Sequence, residues 1–370
     1  MSARERVSFI VVSLLCLVRL YGQPQPDVLT FKNGEKLIGH LVRTHRKDVT
    51  FKSDMAGEVT VDWSKIQELR TGDQFAVIRN GVRLRGQQDA ATVPQGPIAA
   101  TDQNITITPT GARSPETVPV PDAAYVVSET AFQNALHRAG ILQAWKGTLT
   151  GGVSLVEATQ KSHTLTSNVS LVRTTPTETW LNPRDRTLID FSSTLGKITQ
   201  PGTPTIKTNI YHAGAERDEY LTPRVYAFGQ LMYDHNFSQG LDLQQTYGGG
   251  IGYTLIANSA STLDVKGNFD YVRQAFEEPT KNQNLIAGSV GERYIRNMPR
   301  GIVLNQQLAF TPAFNNTSAY SALGTVGLTV PAYKRLNLSA IMTDAFLNNP
   351  PPGFKKNSLQ LTIGVTYALP

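Results

Sequence analysis

The sequence predicts an all-β protein whose larger part is an antiparallel, up-and-down transmembrane β-barrel of about 12 strands. Residues 145–370 contain one alternating apolar/polar strand after another, most of them at least ~10 residues long and able to cross a bilayer when tilted. The polar face carries mainly Thr, Ser, Asn, Gln and Gly, which suits a barrel interior better than a water-facing sheet. No apolar run reaches ~18 residues, so a membrane span would need a closed barrel.

Composition excludes several classes of protein. The chain has 370 residues, of which 17% are charged, below the ~25% usual in soluble proteins. The net charge of +6 is scattered along the chain, and a basic stripe interleaved with aromatic residues is missing, so no nucleic-acid partner is expected. The single cysteine, Cys16, lies in the N-terminal apolar stretch, so cleavage of that stretch would leave no thiol for disulfides or zinc.

Residues 1–22 are typical of a secretory signal peptide. Arg4 and Arg6 precede the apolar run Val7–Val18. The alternative is an N-terminal membrane anchor, but the run is short and Arg19 interrupts it. We therefore expect cleavage and export.

Residues 23–127 contain an internal repeat, with the first unit at 23–73 and the second at 74–127. Asn33-Gly34 and Asn80-Gly81 each lie between two strand patterns, which is a strong hairpin signal. Further strands follow at 49–52 and 58–63 in the first unit, and at 105–108 and 117–120 in the second. We expect two small SH3-like or Sm-like β units that pack on each other, because units of about 50 residues are marginal alone. They are either a binding module or a spacer.

Two segments of the second unit and the stretch after it have other patterns. Residues 89–100 are predicted to be a polar loop, and residues 113–121, with three prolines, a loop or an edge strand. Residues 128–144 are predicted to form an amphipathic linker helix, with the alternative that it enters the barrel as a plug. Its apolar stripe follows helical spacing and consists of Phe132, Ala135, Leu136, Ala139 and Leu142.

The hairpin Thr246–Tyr271 shows the barrel pattern most clearly. One face of its second strand carries Leu263, Val265, Gly267, Phe269 and Tyr271. The other carries Thr262, Asp264, Lys266, Asn268 and Asp270. The predicted strands are 145–157, 161–174, 185–199, 204–217, 223–235, 244–257, 260–275, 282–296, 301–312, 319–331, 335–346 and 358–369.

Aromatic residues near strand ends suggest two girdles at the membrane surfaces. They are Trp145, Tyr211, Tyr226, Tyr233, Phe276, Tyr294, Tyr333 and Phe346. With an even number of strands, both termini lie at one end of the barrel. The turns at that end are mostly short, and the loops at the other end are mostly longer.

The first unit resembles the N-terminal part of the salt-induced outer membrane proteins, a bacterial family of unknown function. The matching stretches are Leu29–Gly39, Val49–Gly57 and Val61–Trp63. Trp145-Lys146-Gly147 and Gly248–Tyr253 resemble parts of that family's barrel. The resemblance implies an outer-membrane barrel without established catalytic residues. Such barrels commonly end on an aromatic residue read by the assembly machinery, whereas this chain ends Tyr367-Ala368-Leu369-Pro370.

No catalytic residue, cofactor or metal site is predicted. Asp234-His235 with Ser238 is the most suggestive cluster, but adjacent strand residues point to opposite faces, so Asp234 cannot simply orient His235. A His-Glu-x-x-His spacing is absent. The polar residues expected in the lumen, as hydrogen-bond partners, are His212, Glu216, Asp264, Lys266, Asp270 and Glu292.

The sequence thus predicts a non-enzymatic outer-membrane barrel with its N-terminal module in the periplasm and a structural or small-solute passage role. Its expected partners are outer-membrane lipid, the barrel-assembly machinery, and an unidentified small solute or periplasmic partner. Two alternatives remain open: a barrel enzyme acting on lipid or peptide, and a secreted soluble β-sandwich that binds a ligand.

Overall fold

The computed structural model describes residues 26–82, 84, 86–109, 114–137, 140–157, 161–178, 180–199, 202 and 204–369. The chain forms two compact units, Met1–His137 and Arg138–Pro370. The signal peptide predicted for residues 1–22 lies outside the described residues. No helix among the described residues is long and apolar enough to cross a membrane.

The N-terminal unit is one antiparallel sheet of 11 strands, in the order β10-β9-β8-β5-β1-β2-β11-β6-β7, with a β3–β4 hairpin extending from β2. The strands are β1 Asp27–Phe31, β2 Lys36–His45, β3 Asp48–Ser53, β4 Gly57–Asp62, β5 Ile66–Arg70, β6 Phe75–Arg79, β7 Gln95–Gly96, β8 Ile98–Ala100, β9 Asn104–Ile107, β10 Glu116–Pro119 and β11 Ala123–Ser128.

The two predicted small units are not separate barrels in the structure. Strand β11, from the second half, pairs with β2 of the first half, and β8 pairs with β5. One core joins both halves, with Leu29 and Phe51 from the first and Ile105 and Val126 from the second all fully buried. Each half alone is too small to bury enough apolar surface, so the two share one core.

The first predicted hairpin is confirmed, whereas the second lacks its second strand among the residues described there. At Asn33-Gly34, β1 turns into β2, with Gly34 at φ +90°. At Asn80-Gly81 the chain also turns, with Gly81 at φ +77°, but the described residues of 82–86 are not in a strand. Strand β6 pairs with β11 and β7 instead.

The segments predicted as loops are partly ordered. Residues 87–92 form a 3-10 helix, and the short strands β7 and β8 follow it. Val93 and Ile98 are buried, which anchors this segment in the core of the unit. Strand β10 lies at the edge of the sheet, as the three prolines of residues 113–121 predict.

The predicted helix is real but shorter. Helix α1 spans Glu129–Leu136, capped by the Ser128 hydroxyl, which accepts from the backbone N–H of Ala131 at 3.3 Å. It buries Phe132 and Leu136 within the N-terminal unit and contacts β6 and β11.

The C-terminal unit is a closed antiparallel barrel of 12 strands. The strands are β12 Trp145–Glu157, β13 Lys161–Thr175, β14 Asp185–Thr199, β15 Ile206–Tyr220, β16 Val225–Asn236, β17 Leu241–Ala257, β18 Ser261–Phe276, β19 Gln283–Asn297, β20 Val303–Pro312, β21 Tyr320–Tyr333, β22 Leu336–Leu347 and β23 Asn357–Leu369. This confirms the predicted fold class, and every predicted strand limit lies within a few residues of the observed one. Strands β12 and β23 close the ring.

Both termini of the barrel lie at one end, called here the terminal end; the other is the loop end. On β18 the apolar parity faces outward, with Phe269 exposed by 72%, and the polar parity faces inward, with Asp264 and Asp270 buried. Two residues predicted for the aromatic girdles face inward instead: Tyr226, 1% exposed, and Phe276 are buried. Nearness to a strand end does not determine which face a residue takes, because strand parity decides it.

Candidate functional site

The barrel interior is defined by hydrogen bonds between strands that are not neighbours. Arg186 on β14 donates from Nη1 to Asp264 Oδ2 on β18 at 2.7 Å. Thr194 on β14 donates from Oγ1 to Gln360 Oε1 on β23 at 3.0 Å. Contacts of this kind cross the lumen, so these side chains face inward.

A buried layer occupies the lumen near the terminal end. Arg186 also donates from Nε to Asp218 Oδ2 at 2.5 Å, and its guanidinium lies 5.1 Å from the centre of the Tyr226 ring. The Thr254 hydroxyl donates to Asp264 Oδ1 at 2.6 Å. Because each carboxylate meets a cation or a hydroxyl, the burial of these charges is tolerable.

A second ion pair lies in the next layer towards the loop end. Lys266 donates to the Glu216 carboxylate, and its ammonium lies 5.1 Å from the Phe228 ring centre. Arg293 on β19 is paired in register with Asp264 and shares its inward parity. These contacts fill the lumen on the side of β14–β19.

Asp270 is held by neutral donors. Gln230 Nε2 donates to Oδ1 at 3.0 Å, Ser289 Oγ donates to Oδ2 at 2.6 Å, and the Asn268 amide reaches both oxygens at 2.7 and 2.6 Å. These donors are two amides and one hydroxyl, all of them uncharged. The Asp270 carboxylate is therefore fully hydrogen-bonded without a neutralising ion pair.

His212 is held between two carboxylates. Its Nδ1 lies 2.6 Å from Asp234 Oδ1, and its Nε2 lies 2.6 Å from Asp190 Oδ2. Asp234 thus faces His212 in the lumen, while His235 faces outward and contacts the Asp242 backbone carbonyl at 2.6 Å. The alternation of adjacent strand residues separates Asp234 from His235, as strand geometry requires.

The turn of residues 237–240 crosses the loop end of the lumen. The Gln239 amide donates to the backbone carbonyls of Ala345 at 3.0 Å and Lys356 at 2.6 Å, on the opposite side of the ring. Leu241, Phe276 and Leu347 form a buried cluster beside it. This turn ties β16 and β17 to β22 and to the loop that follows it, and narrows the mouth.

Inward-facing glycines make room for the large lumen side chains. A Cβ at Gly252 would lie 2.1 Å from the Tyr226 ring, and a Cβ at Gly248 would lie 1.7 Å from Asp270 Oδ1. At Gly214 the nearest atom would be Asp190 Oδ1, at 2.9 Å. The glycines of β15 and β17 therefore determine where the lumen side chains can lie.

Five of the six predicted lumen residues have the inward parity: His212, Glu216, Asp264, Lys266 and Asp270. Glu292 does not. It is paired with Val265 and Leu308, both on the outward parity, and accepts from Gln306 Nε2 at 2.6 Å. The sequence pattern of β19 is ambiguous, because Glu292 shares its face with the apolar Ile286 and Val290.

The sequence reasoning missed several interior residues, although strand parity carried the signal. These missed residues occupy inward positions on β14, β15 and β19: Arg186, Asp190, Asp218 and Arg293. Gln239 gave no such signal, because its role depends on the path of a turn.

The outer wall has a shallow groove of about 470 Å³, beside Glu292 and Asp344. Phe310 and Phe346 line the groove. Gly324 lies on the outer face between Glu292 and Asp344, and its lack of a side chain leaves space there. Asp344 accepts from the Asn357 amide at 3.0 and 3.1 Å.

The N-terminal unit has one group of side chains, among those described, that could hold a metal ion: Asp27, His40 and Asp73, with ligand atoms within 4.8 Å of one another. The Asp27 carboxylate already accepts backbone N–H bonds from Leu41 at 2.7 Å and Gly72 at 2.9 Å. Burial raises the pKa of Asp27, and these two bonds oppose the rise. Its visible role is to fix strand ends.

These contacts determine what the interior can do chemically. Hydrolysis would require a nucleophile beside a base, but the contacts described for His212 are two carboxylates, which occupy both ring nitrogens. The lumen is lined with fixed charges and hydroxyl groups.

Three solved structures illustrate the similarity of this chain to known barrels. The β domain of the Bordetella autotransporter BrkA is 12% identical, with 61% of this chain and 98% of that chain covered and a TM-score of 0.31. The translocator domain of NalP from Neisseria meningitidis is 16% identical, with 60% of this chain and 87% of that chain covered and a TM-score of 0.34. The NanC porin is 9% identical, with 60% of this chain and 100% of that chain covered and a TM-score of 0.36. With such low scores, the barrel architecture rests on the strand pairing of this chain.

Comparison by sequence places the chain in a family. No curated protein matches it. A family model described as "Protein of unknown function, DUF481" matches residues 150–369, which is nearly the whole barrel and more than half of the chain. The chain therefore belongs to the DUF481 family of proteins of unknown function.

Proposed function

We propose that this protein is an outer-membrane β-barrel that passes small polar solutes and performs no catalysis. One observation supports the proposal: a closed ring of 12 strands has apolar side chains outside and polar ones inside. On β23 alone, Leu359, Leu361 and Ile363 are exposed by 66–72%. Such an exterior is costly in water and favourable in hydrocarbon.

The part of the lumen wall that starts at β20 and carries uncharged polar side chains supports passage. Inward-facing Asn305 and Gln307 on β20 are exposed, although they lie inside the ring. Thr325 and Thr343 beside them are half-buried. A solute would move along this hydroxyl- and amide-lined wall, and the turn carrying Gln239 would restrict its entry.

Conductance across planar lipid bilayers tests the proposal. The purified chain should give small currents, and Gln239→Ala should enlarge them, because the turn loses both hydrogen bonds to the opposite wall. Asn316→Ala is the matched control, since Asn316 lies in another loop at the same end and bonds Gln283 on a nearby strand. Absence of current from both the native chain and Gln239→Ala would contradict passage.

Further parts of the proposal concern location and expression. The N-terminal unit would lie in the periplasm, as a docking module or spacer, and the chain would enter the membrane through the barrel-assembly machinery. The resemblance to salt-induced outer membrane proteins adds that its amount should rise with salt. Immunoblots of membrane fractions from cells grown at low and high NaCl test this, and equal amounts would refute the induction.

A further inference from the structure

Among the described side chains, all charges that face the lumen lie on the wall formed by β14–β19, apart from Lys146 at the rim of the terminal end. Inward carboxylates on β14–β18 are Asp190, Glu216, Asp218, Asp234, Asp264 and Asp270. Inward cations on the same wall are Arg186, Lys266 and Arg293, with His212 as a titratable member.

The negative charges exceed the positive ones. With the carboxylates ionised, this wall has six negative groups against three permanent cations, so the excess is three when His212 is neutral and two when it is charged. Arg186 and Lys266 are committed to Asp218, Asp264 and Glu216. Within the described part of the chain, the carboxylates of Asp190, Asp234 and Asp270 make no ion pair with Arg or Lys.

Exposure decides which of these a solute can meet. Asp218 and Asp270 are buried, so they act within the wall. The side chains of Asp190 and Asp234 are 45% and 29% exposed, and both face the lumen beside His212. Arg293 is half-buried on the same wall, and with it counted the wall keeps an excess of two or three negative charges. The opposite wall offers only neutral groups among its described side chains above the rim.

We propose that the barrel passes small cations in preference to anions, and that Asp190 and Asp234 select them. The inference rests on the proposed passage function. Carboxylates facing a narrow lumen with low-dielectric walls concentrate cations and repel anions. The 2.6 Å contacts with the two ring nitrogens of His212 hold the two carboxylates in place, and the wall keeps a negative excess of two even when His212 is charged.

Reversal potentials in a KCl gradient across a planar bilayer test this. The native chain should pass K⁺ over Cl⁻ by about 3-fold or more, because screening over about 10 Å at 0.1 M salt leaves close charges effective. Asp190→Asn combined with Asp234→Asn should bring the ratio close to unity. Asp344→Asn is the matched control, since Asp344 faces outward and the change is the same.

The outcomes separate the two proposals. Currents without preference for K⁺, or an unchanged ratio in the double variant, would overturn the selectivity while leaving passage intact. Absence of current from the native chain and from Gln239→Ala would overturn passage and selectivity together. Loss of heat-modifiable migration on a gel would show that the double variant fails to fold. In that case the K⁺ over Cl⁻ ratio of the native chain tests the selectivity, and Asp190→Asn alone, as the second variant, should lower that ratio.

Discussion

Single inward glycines position the lumen side chains. Gly252 and Gly248 lie on the inward parity of β17, opposite Tyr226 and Asp270, and a methyl group at either would overlap its neighbour. The glycines in this strand therefore serve packing across the interior, because a strand glycine otherwise costs stability. The sequence showed a glycine-rich strand but not which side chain occupies each gap.

Gly252→Ala should destabilise the barrel by about 1–3 kcal/mol, since Tyr226 is buried and cannot move aside without disturbing Arg186. Gly267→Ala is the control, because a Cβ there would meet only Ser289 O at 3.9 Å. Urea unfolding in detergent micelles measures both. Equal stability of the two variants would contradict the packing role.

At the scale of elements, the ring closes through its shortest pairing. Strands β12 and β23 pair from Gly147 to Gly151 only, whereas β13 and β14 pair over their full length. A chain of buried hydroxyls supports the closure: Thr366 Oγ1 lies 2.7 Å from Thr150 Oγ1 and 2.7 Å from Ser339 Oγ. The closing strands were predicted correctly from their alternation, but this hydroxyl chain depends on register.

Thr366→Val should weaken the closure by about 1–3 kcal/mol, because the Thr150 and Ser339 hydroxyls would lose their partner in a buried position. Thr362→Val, on the same strand and face but half-buried, should cost less. The temperature at which the compact gel band converts to the unfolded band measures both. A larger effect of Thr362→Val would refute the role of Thr366.

At the scale of the whole molecule, the ring of strands replaces the soluble sandwich that the alternation alone permitted. A sandwich would cover the apolar faces between two sheets, whereas here they lie outside a closed ring, from Leu149 through Ile251 to Val365. The energetic consequence is that adjacent residues on one strand should tolerate charge very differently.

Ile363→Arg should impair folding into lipid vesicles by about 2–4 kcal/mol, because Ile363 is outward and 72% exposed in the apolar belt. Thr362→Arg, one residue away on the lumen side, should be tolerated better. Urea titration in vesicles measures the difference. If both substitutions cost the same, the apolar exterior does not face lipid.

The sequence by itself determined the 12 strands, their limits and the face of most residues, because strand alternation is a local property with a period of two. It also indicated five of the interior polar residues. Only the tertiary structure decided that the two N-terminal units share one core and that Gln239 spans the mouth. Those features depend on pairing between distant strands and on the path of turns, and alternation along one strand contains neither.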